Sequence, residues 1–191
     1  DSLLYNTKDS TISLFVEPVL WSEKNQITAD FIKGYTGKGN NIRRMDFDGN
    51  AFNVSHEEKL NFNQIRGKSM IAYFTQGKLA KLDVKGNGQA VYYFRDEGVI
   101  AAVNKAESSD LTANFKDGKI SRISFKVKPV SAFYPIEKAD MEELTLKGFR
   151  WLEETRPKSK FEIIPKGLDL VLTDAKPGFV RDVVSNLSRY K

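Results

Sequence analysis

Residues 108–125, SSDLTANFKDGKISRISF, have the pattern of a complete β-hairpin. Leu111, Ala113 and Phe115 alternate with polar residues, which places these apolar side chains on one face of a strand. Asp117 and Gly118 follow, and Asp-Gly is a dipeptide that favours a type I′ turn because both central residues take positive φ. The stretch therefore predicts two antiparallel strands joined by a tight turn.

The same pattern occurs twice earlier in the chain. Residues 27–31 (ITADF) and 70–74 (MIAYF) match residues 111–115 (LTANF) at the apolar first, third and fifth positions. Each copy is followed by a matched second element with a basic residue before its second apolar position, at residues 42–47, 79–84 and 120–125. Gln76 and Gly77 occupy the turn position of the second copy, as Asp117 and Gly118 do in the third. Repetition at about 40 residues indicates stacked units that cannot bury their apolar faces alone.

The chain before and between these copies extends the repeat. A partial copy opens the chain over residues 3–21. Glycine-containing breaks and Pro129 are predicted to separate each second element from a third strand, at residues 51–54, 90–94 and 131–134. The expected fold is all-β, with stacked antiparallel hairpins.

The C-terminal third has a different pattern. Mixed charges around apolar residues predict a short helix near 138–145, followed by an irregular or extended segment. Residues 161–164 and 168–172 are candidate final strands. We assign residues 1–172 to one β-repeat domain and residues 173–191 to a C-terminal tail, which is either helical or frayed.

The composition excludes several kinds of catalytic or metal site. The chain has no cysteine, so it forms no disulfide, thiolate zinc site or cysteine nucleophile. Its one histidine, His56, lies between two predicted strands in a polar sequence that predicts an exposed loop. We find no nucleophile with a base and no paired acid and base, so the sequence predicts a protein that is not an enzyme and needs no cofactor or metal.

Charge gives only a weak indication of anionic partners. Thirty Lys and Arg residues stand against 25 acids, for a net charge of +5, and the two signs are interleaved. Arg44, Lys81 and Arg122 occupy the same slot in three second elements, so stacking would align them. They either protect strands from aggregation, which we favour, or contact phosphates and acidic sugars as a headgroup site.

The repeated apolar residues are the main candidate binding surface. They form either a packed core or an apolar trough that admits lipid, and periodicity alone does not separate these interpretations. The candidate residues are Ile27, Ala29, Phe31, Met45, Phe47, Met70, Ala72, Phe74, Leu82, Val84, Leu111, Ala113, Phe115, Ile123 and Phe125.

Three long runs carry a family resemblance. They are NQIRGKSMIAYFTQGKLAKLDVKGNGQAVYYF at 63–94, NKAESSDLTANFKDGKISRISF at 104–125 and LTLKGFRWLEETRPKSKFEI at 144–163. These runs resemble OstA-like proteins of the Bacteroidetes type, which are related to the OstA/LptA family of periplasmic lipopolysaccharide transport. The resemblance covers about residues 1–172, and residues 135–160 depart from the simple repeat of that family.

The resemblance implies a V-shaped β-jellyroll, also called a β-taco, with acyl chains in its apolar interior. It implies lipopolysaccharide or its lipid A portion as ligand. It also implies edge-strand pairing with other OstA-fold proteins, or end to end between copies of this chain. The implied location is the periplasm, and any signal peptide is expected to precede residue 1.

Two further function classes stay open. A structural scaffold of the same fold would have a closed, packed core in place of a trough. A β-sheet that binds nucleic acid is suggested by Tyr73, Tyr92, Tyr93 and Phe94, but Lys and Arg are not concentrated around these rings, so we expect no nucleic-acid partner.

Overall fold

The computed structural model describes residues 2–6, 8–37, 41–159 and 162. Eleven strands form one antiparallel sheet that does not close into a barrel. The strands are β1 (Ser2–Asn6), β2 (Thr11–Phe15), β3 (Val19–Ser22), β4 (Asn25–Thr28), β5 (Phe31–Thr36), β6 (Ile42–Glu58), β7 (Asn61–Thr75), β8 (Lys78–Asp96), β9 (Val99–Lys116), β10 (Lys119–Lys126) and β11 (Val130–Pro135).

A line of irregularities crosses the sheet at one level, and we call this line the crease. Strand β6 bulges at residues 49–50 and β8 at residues 86–87, where all four residues have positive φ. A register shift in β7 lies at the same level, between Arg66 and Ser69. Bulges of this kind bend a strand, so the crease divides the sheet into two arms.

Each arm is a set of neighbouring strand segments. The first arm contains β1, β2, β5 and β10 with residues 42–48, 69–75, 78–85 and 110–116 of the long strands. The second arm contains β3, β4 and β11 with residues 51–58, 61–67, 88–96 and 99–108.

The two arms fold onto each other and enclose one apolar cluster. Buried residues from both arms contribute to this cluster, including Ile27 and Ile65 from the second arm and Phe47 from the first. Polar contacts join the ends of the arms that lie farthest from the crease, which we call the lips. Asn25 Nδ2 donates to Gly118 O at 3.1 Å, Tyr92 Oη donates to Ile120 O at 3.4 Å, and Lys78 pairs with Glu23 at 2.9 Å.

The predicted hairpin turns are confirmed. Asp117 and Gly118 have φ of 50° and 73°, and Gln76 and Gly77 have φ of 50° and 78°. Positive φ at both central positions is the signature of the type I′ turn that these dipeptides favour. The predicted third strand at residues 131–134 is also present, within β11.

The predicted separation of third strands at residues 51–54 and 90–94 is wrong. These residues continue β6 and β8 without interruption, because the glycine-containing stretches form bulges inside long strands. A bulge keeps the strand paired on both sides of the extra residue, whereas a turn would reverse the chain.

The first copy of the repeat is also placed differently from the prediction. The chain breaks at residues 29–30, so Ile27 belongs to β4 in the second arm and β5 begins at Phe31. In β5 it is Ile32 that pairs with Phe47, in the same row as Met70 and Leu111. The structural equivalent of residues 70–74 therefore begins at Ile32.

Residues 136–156 cross the outer face of the second arm, and we call them the strap. The strap contains the predicted short helix, α1 (Met141–Leu144), between two 3-10 turns at Ile136–Lys138 and Glu153–Thr155. It buries a second apolar cluster that includes Val54, Val91 and Leu146. The predicted strands at 161–164 and 168–172, and the tail at 173–191, lie outside the described residues except for residue 162.

Two buried glutamines of the sheet bind the backbone of the strap. Gln64 donates to Leu144 O at 3.2 Å and accepts from Leu146 N at 2.9 Å. Gln26 donates to Arg150 O at 2.8 Å and accepts from Leu152 N at 2.7 Å. Each carboxamide thus satisfies one N–H and one C=O of the strap backbone.

Candidate functional site

The inner face of the first arm carries an unbroken row of apolar side chains across all eight of its strands. Residues paired directly in an antiparallel sheet point to the same side, so the strand register defines the row. Its members are Leu3, Leu14, Ile32, Phe47, Met70, Val84, Leu111 and Phe125. The row runs perpendicular to the strands, from one edge of the arm to the other.

A second row lies beside the first, nearer the lip. From β5 onward small and large side chains alternate in it, and a Cβ on Gly34 would lie 3.4 Å from Met45 Cε. The large side chains therefore fit over the small ones. The members are Tyr5, Ile12, Gly34, Met45, Ala72, Leu82, Ala113 and Ile123.

Both rows are buried in the middle and at least partly exposed at their ends. Ile32, Phe47 and Val84 have no exposed surface, whereas Leu3 is 64% exposed at the β1 edge. At the opposite edge, Ile123 and Phe125 are half-buried. The apolar interior is therefore filled by the chain's own side chains at its centre and meets solvent at both edges of the sheet.

Most of the predicted candidate residues lie on this interior. Those in the cluster between the arms are Ile27, Ala29, Met45, Phe47, Met70, Ala72, Phe74, Leu82, Val84, Leu111, Ala113, Phe115, Ile123 and Phe125. Phe31 does not join them, and its predicted interior position is wrong. It pairs with exposed Asp48 and packs its ring 5.1 Å from that of Phe15 on the outer face, because the break at residues 29–30 shifts the alternation.

Residues outside the predicted lipid-binding set complete the interior. They are Ile32, Ala51, Ile65, Leu79, Ala90 and Ile120, with Leu14, Leu20, Ile42 and Tyr92 at the margin. Several of them come from strand segments of the second arm, which the three-copy comparison did not include. The sequence signal that could have identified them is the period-two alternation of apolar residues in the second-arm segments of β7 and β8.

The inner face of the second arm is more polar than that of the first. The row nearer the crease contains Leu20, Ile27, Asn53, Ile65, Ala90 and Ala106. The next row, which we call the polar row, contains Ser22, Asn25, Ser55 and Asn63 and continues with Tyr92 and Asn104. Asn25, Ser55 and Asn63 are each at least 97% buried.

Small residues on the second arm determine how closely the arms approach at the crease. A Cβ on Gly67 would lie 2.3 Å from Val84 Cγ1, and one on Gly88 would lie 3.2 Å from Leu111 Cδ2. The first distance is far below van der Waals contact. The apolar row that contains Val84 and Leu111 therefore packs directly against the backbone of the second arm.

Arg44, Lys81 and Arg122 align in one row, as the repeat predicts, on the outer face of the first arm. The row is Tyr35, Arg44, Tyr73, Lys81, Asn114 and Arg122. Arg44 and Lys81 each pair with an aspartate at 2.7 Å and lie over a tyrosine ring. These internal partners favour the interpretation in which the cations cover a strand surface, and contact with a headgroup stays the weaker hypothesis.

His56 does not lie in the exposed loop that the sequence predicts. It is part of β6, where its ring centroid lies 4.9 Å from that of Phe62 and 6.1 Å from that of Trp151 on the strap. Long strand β6 extends past the predicted boundary because the strap covers its outer face. Among the described residues, no group of three or more His, Cys, Asp and Glu side chains is arranged to hold a metal ion.

Two cavities lie outside the predicted interior surface. One of about 270 Å³ lies between α1 and the outer face of the second arm, bordered by Phe62, Tyr93 and Phe149. The other, of about 230 Å³, lies near β11 and Leu146. None of the predicted lipid-binding residues borders either cavity. Within the described residues, no helix has the length and apolar character needed to span a membrane.

Comparison with known proteins gives a structural match. No family model matches the chain, and no curated protein matches it. Among solved structures it is similar to the crystal structure of LptH, the LptA homologous periplasmic component of the conserved lipopolysaccharide transport device from Pseudomonas aeruginosa. The TM-score is 0.53 at 13% sequence identity, and the match covers 71% of this chain and 92% of that chain. The chain therefore has the V-shaped β-jellyroll fold of an LptA homologue.

Proposed function

We propose that the chain is a non-catalytic periplasmic module of lipopolysaccharide transport, which carries acyl chains along its apolar interior towards the outer membrane. The observation that carries this proposal is the pair of apolar rows that crosses all eight strands of the first arm. The shared fold with LptH supports it.

The physics of lipid transfer fits such rows. Burial of an acyl chain is worth about 0.8 kcal/mol per methylene, so a lipid with several chains does not cross water unaided. Hydrophobic attraction has no preferred direction, and a chain that slides along aliphatic and aromatic walls breaks no specific bond at each step. No reaction is required for this task.

Entry of acyl chains requires the arms to separate, because the centre of the interior is packed. The lip contacts that oppose separation are two hydrogen bonds and the exposed ion pair of Lys78 with Glu23. Exposed ion pairs contribute little. The larger cost is exposure of the apolar rows, and an acyl chain that takes the place of the opposite arm offsets it.

A scaffold module of the same fold is the second candidate. Complete burial of Ile27, Phe47 and Leu82 by the chain's own side chains favours it. In this function the interior never opens, and the exposed ends of the rows serve only to contact neighbouring modules.

Assembly with other modules is part of the proposal. Strands β1, β3, β10 and β11 each pair with one neighbour among the described strands, so no described strand occupies their other side. An edge strand can accept a strand of another OstA-fold protein, or of a second copy end to end. Such pairing would continue the apolar rows from one module into the next.

Photo-crosslinking of lipopolysaccharide tests the lipid path. A photoreactive residue at Phe125 or Phe74 would lie on the interior, and one at Asn114 or Asp30 would lie outside it. We expect labelling at the interior positions only. Equal labelling of both faces, or labelling of neither, would contradict passage of acyl chains along the interior. The scaffold function would then be the better explanation.

A further inference from the structure

The polar row of the second arm lies between the arms, yet it is made of hydrogen-bonding side chains. Asn25 pairs with Ser55, and Ser55 pairs with Asn63. Asn53 lies in the adjacent row, nearer the crease, where it pairs with Ile27 on one side and Ile65 on the other. Polar groups this deeply buried are normally satisfied by hydrogen bonds.

The hydrogen bonds of this row and of Asn53 leave two buried carboxamide oxygens without a partner. Asn25 Nδ2 donates to Gly118 O, and Asn53 Nδ2 donates to Gln26 O at 3.4 Å. Asn63 uses both ends of its carboxamide, since Oδ1 accepts from Tyr93 N and Nδ2 donates to Glu57. Within the described part of the chain, the buried Oδ1 atoms of Asn25 and Asn53 have no hydrogen-bond partner.

Both carboxamides belong to the side of the interior that a ligand would reach when the arms separate. Neither has exposed surface in the closed state, and the contact of Asn25 with Gly118 is one of the lip contacts. Apolar residues of the cluster between the arms line the region towards the crease. An amphiphile whose chain ends lie at the crease would therefore place its polar linkages beside Asn25 and Asn53.

We propose that Asn25 and Asn53 select amphiphiles whose acyl chains carry hydrogen-bond donors near the headgroup, such as amide-linked or hydroxylated chains. This inference rests on the proposed function. An unused carbonyl oxygen needs an N–H or O–H group, and amide-linked or hydroxylated chains provide one. A lipid with only ester linkages provides acceptors alone, and so leaves both oxygens without partners.

A binding assay with matched lipids tests this selection in the full chain. The donor-bearing probe is an N-acylated, 3-hydroxylated amphiphile with a phosphocholine headgroup, and the comparison lipid is a diester phosphatidylcholine of equal chain length, which has no N–H or O–H group. We expect the wild-type chain to prefer the donor-bearing probe by about tenfold, the usual effect of one satisfied buried acceptor. Asn53→Leu should lose most of this preference and keep its affinity for the diester lipid.

Two controls make the assay decisive. Asn114→Leu is the same substitution on the outer face and should keep the full preference. An N-methylated probe without the hydroxyl has no donor and should bind the wild-type chain like the diester lipid, which tests the inference without any change to the protein.

The outcomes separate this inference from the proposed function. Equal affinity of the wild-type chain for both lipids would overturn the selection, as expected if a buried water satisfies the two oxygens, but would leave lipid binding intact. An unchanged preference in Asn53→Leu would also overturn it. Failure of the chain to bind either lipid would instead overturn the proposed function.

Discussion

Gly67 lies where the two arms approach each other closely beside the crease. Its hydrogen faces Val84 Cγ1, and any Cβ there would overlap that methyl group at 2.3 Å. Lys85 O, at 3.2 Å, leaves little room for a shift. The angle of the V thus depends on the absence of a side chain at one position of β7.

Gly67→Ala should destabilise the fold by about 1–3 kcal/mol, the usual cost of overpacking a core. Urea denaturation followed by circular dichroism measures the change. Gly34→Ala is the matched control, because its Cβ would meet Met45 at 3.4 Å, within ordinary contact distance. Equal stability of the two variants would contradict the role of Gly67.

Asp83 connects stability to pH on the outer face of the first arm. Partial burial raises the pKa of its carboxyl, but hydrogen bonds from Lys81 and Thr112 outweigh burial and hold the pKa below its ordinary value. The charged form is therefore stabilised in the folded state. This contribution is present above the unfolded pKa near 3.9 and disappears as pH falls through the lower folded pKa.

We expect Asp83→Asn to lower the free energy of unfolding at neutral pH by about 0.2–1 kcal/mol, as for an exposed ion pair. Once the pH falls below the lowered folded-state pKa of Asp83, the variant and the parent chain should converge. Urea titrations at a series of pH values measure both. A difference that stays constant down to acidic pH would show that the carboxylate charge is not its source.

The strap is the element that the sheet binds most specifically. Gln26 and Gln64 each hold an N–H and a C=O two residues apart, which is how a neighbouring strand binds an extended backbone. Lys105 also donates to Glu143 O. The strap thereby covers an outer face that would otherwise expose Val54 and Val91.

Gln64→Leu should leave Leu144 O and Leu146 N buried without partners, at a cost of about 1–3 kcal/mol for each group. Limited proteolysis at Lys147 should then proceed faster than in the parent chain. Gln89→Leu on the same face is the control, since Gln89 contacts only exposed Glu107 at 3.3 Å in the hydrogen bonds described. Unchanged proteolysis of Gln64→Leu would contradict the role of Gln64 in holding the strap on the sheet.

The elements that the sequence predicts best are those with local chemical signals. The turns at residues 76–77 and 117–118 follow from their dipeptides, and the interior positions of Met70 and Leu111 follow from period-two alternation. Phe31 was misplaced because a break at residues 29–30 shifts alternation, and no local signal distinguishes a break from a continuous strand there.

Other features depend on contacts between distant parts of the chain. The strap is an irregular segment of short helical turns without periodicity, and Gln26 binds it across 126 residues of sequence. The polar row combines single asparagines and serines from separate strands, which no repeat connects. Both features become recognisable only when the register of the sheet is known.

Across the whole molecule, the transport function that we propose requires acyl chains to enter between the two arms. The structure has apolar rows exposed at both edges and packed at the centre, so loading of the centre must separate the lips. The transport and scaffold functions differ in whether the two arms separate. In one the arms move with lipid, and in the other they remain closed.

The distance between the lips measures this movement directly. The chain has no cysteine, so Glu23→Cys and Lys78→Cys would place two spin labels across the lips, in place of side chains now 2.9 Å apart. Labels at Lys116 and Lys119, paired within the first arm, provide a fixed reference. We predict that lipopolysaccharide lengthens the distance across the lips and leaves the reference unchanged. An unchanged distance across the lips while lipopolysaccharide is bound would contradict the entry of acyl chains between the arms.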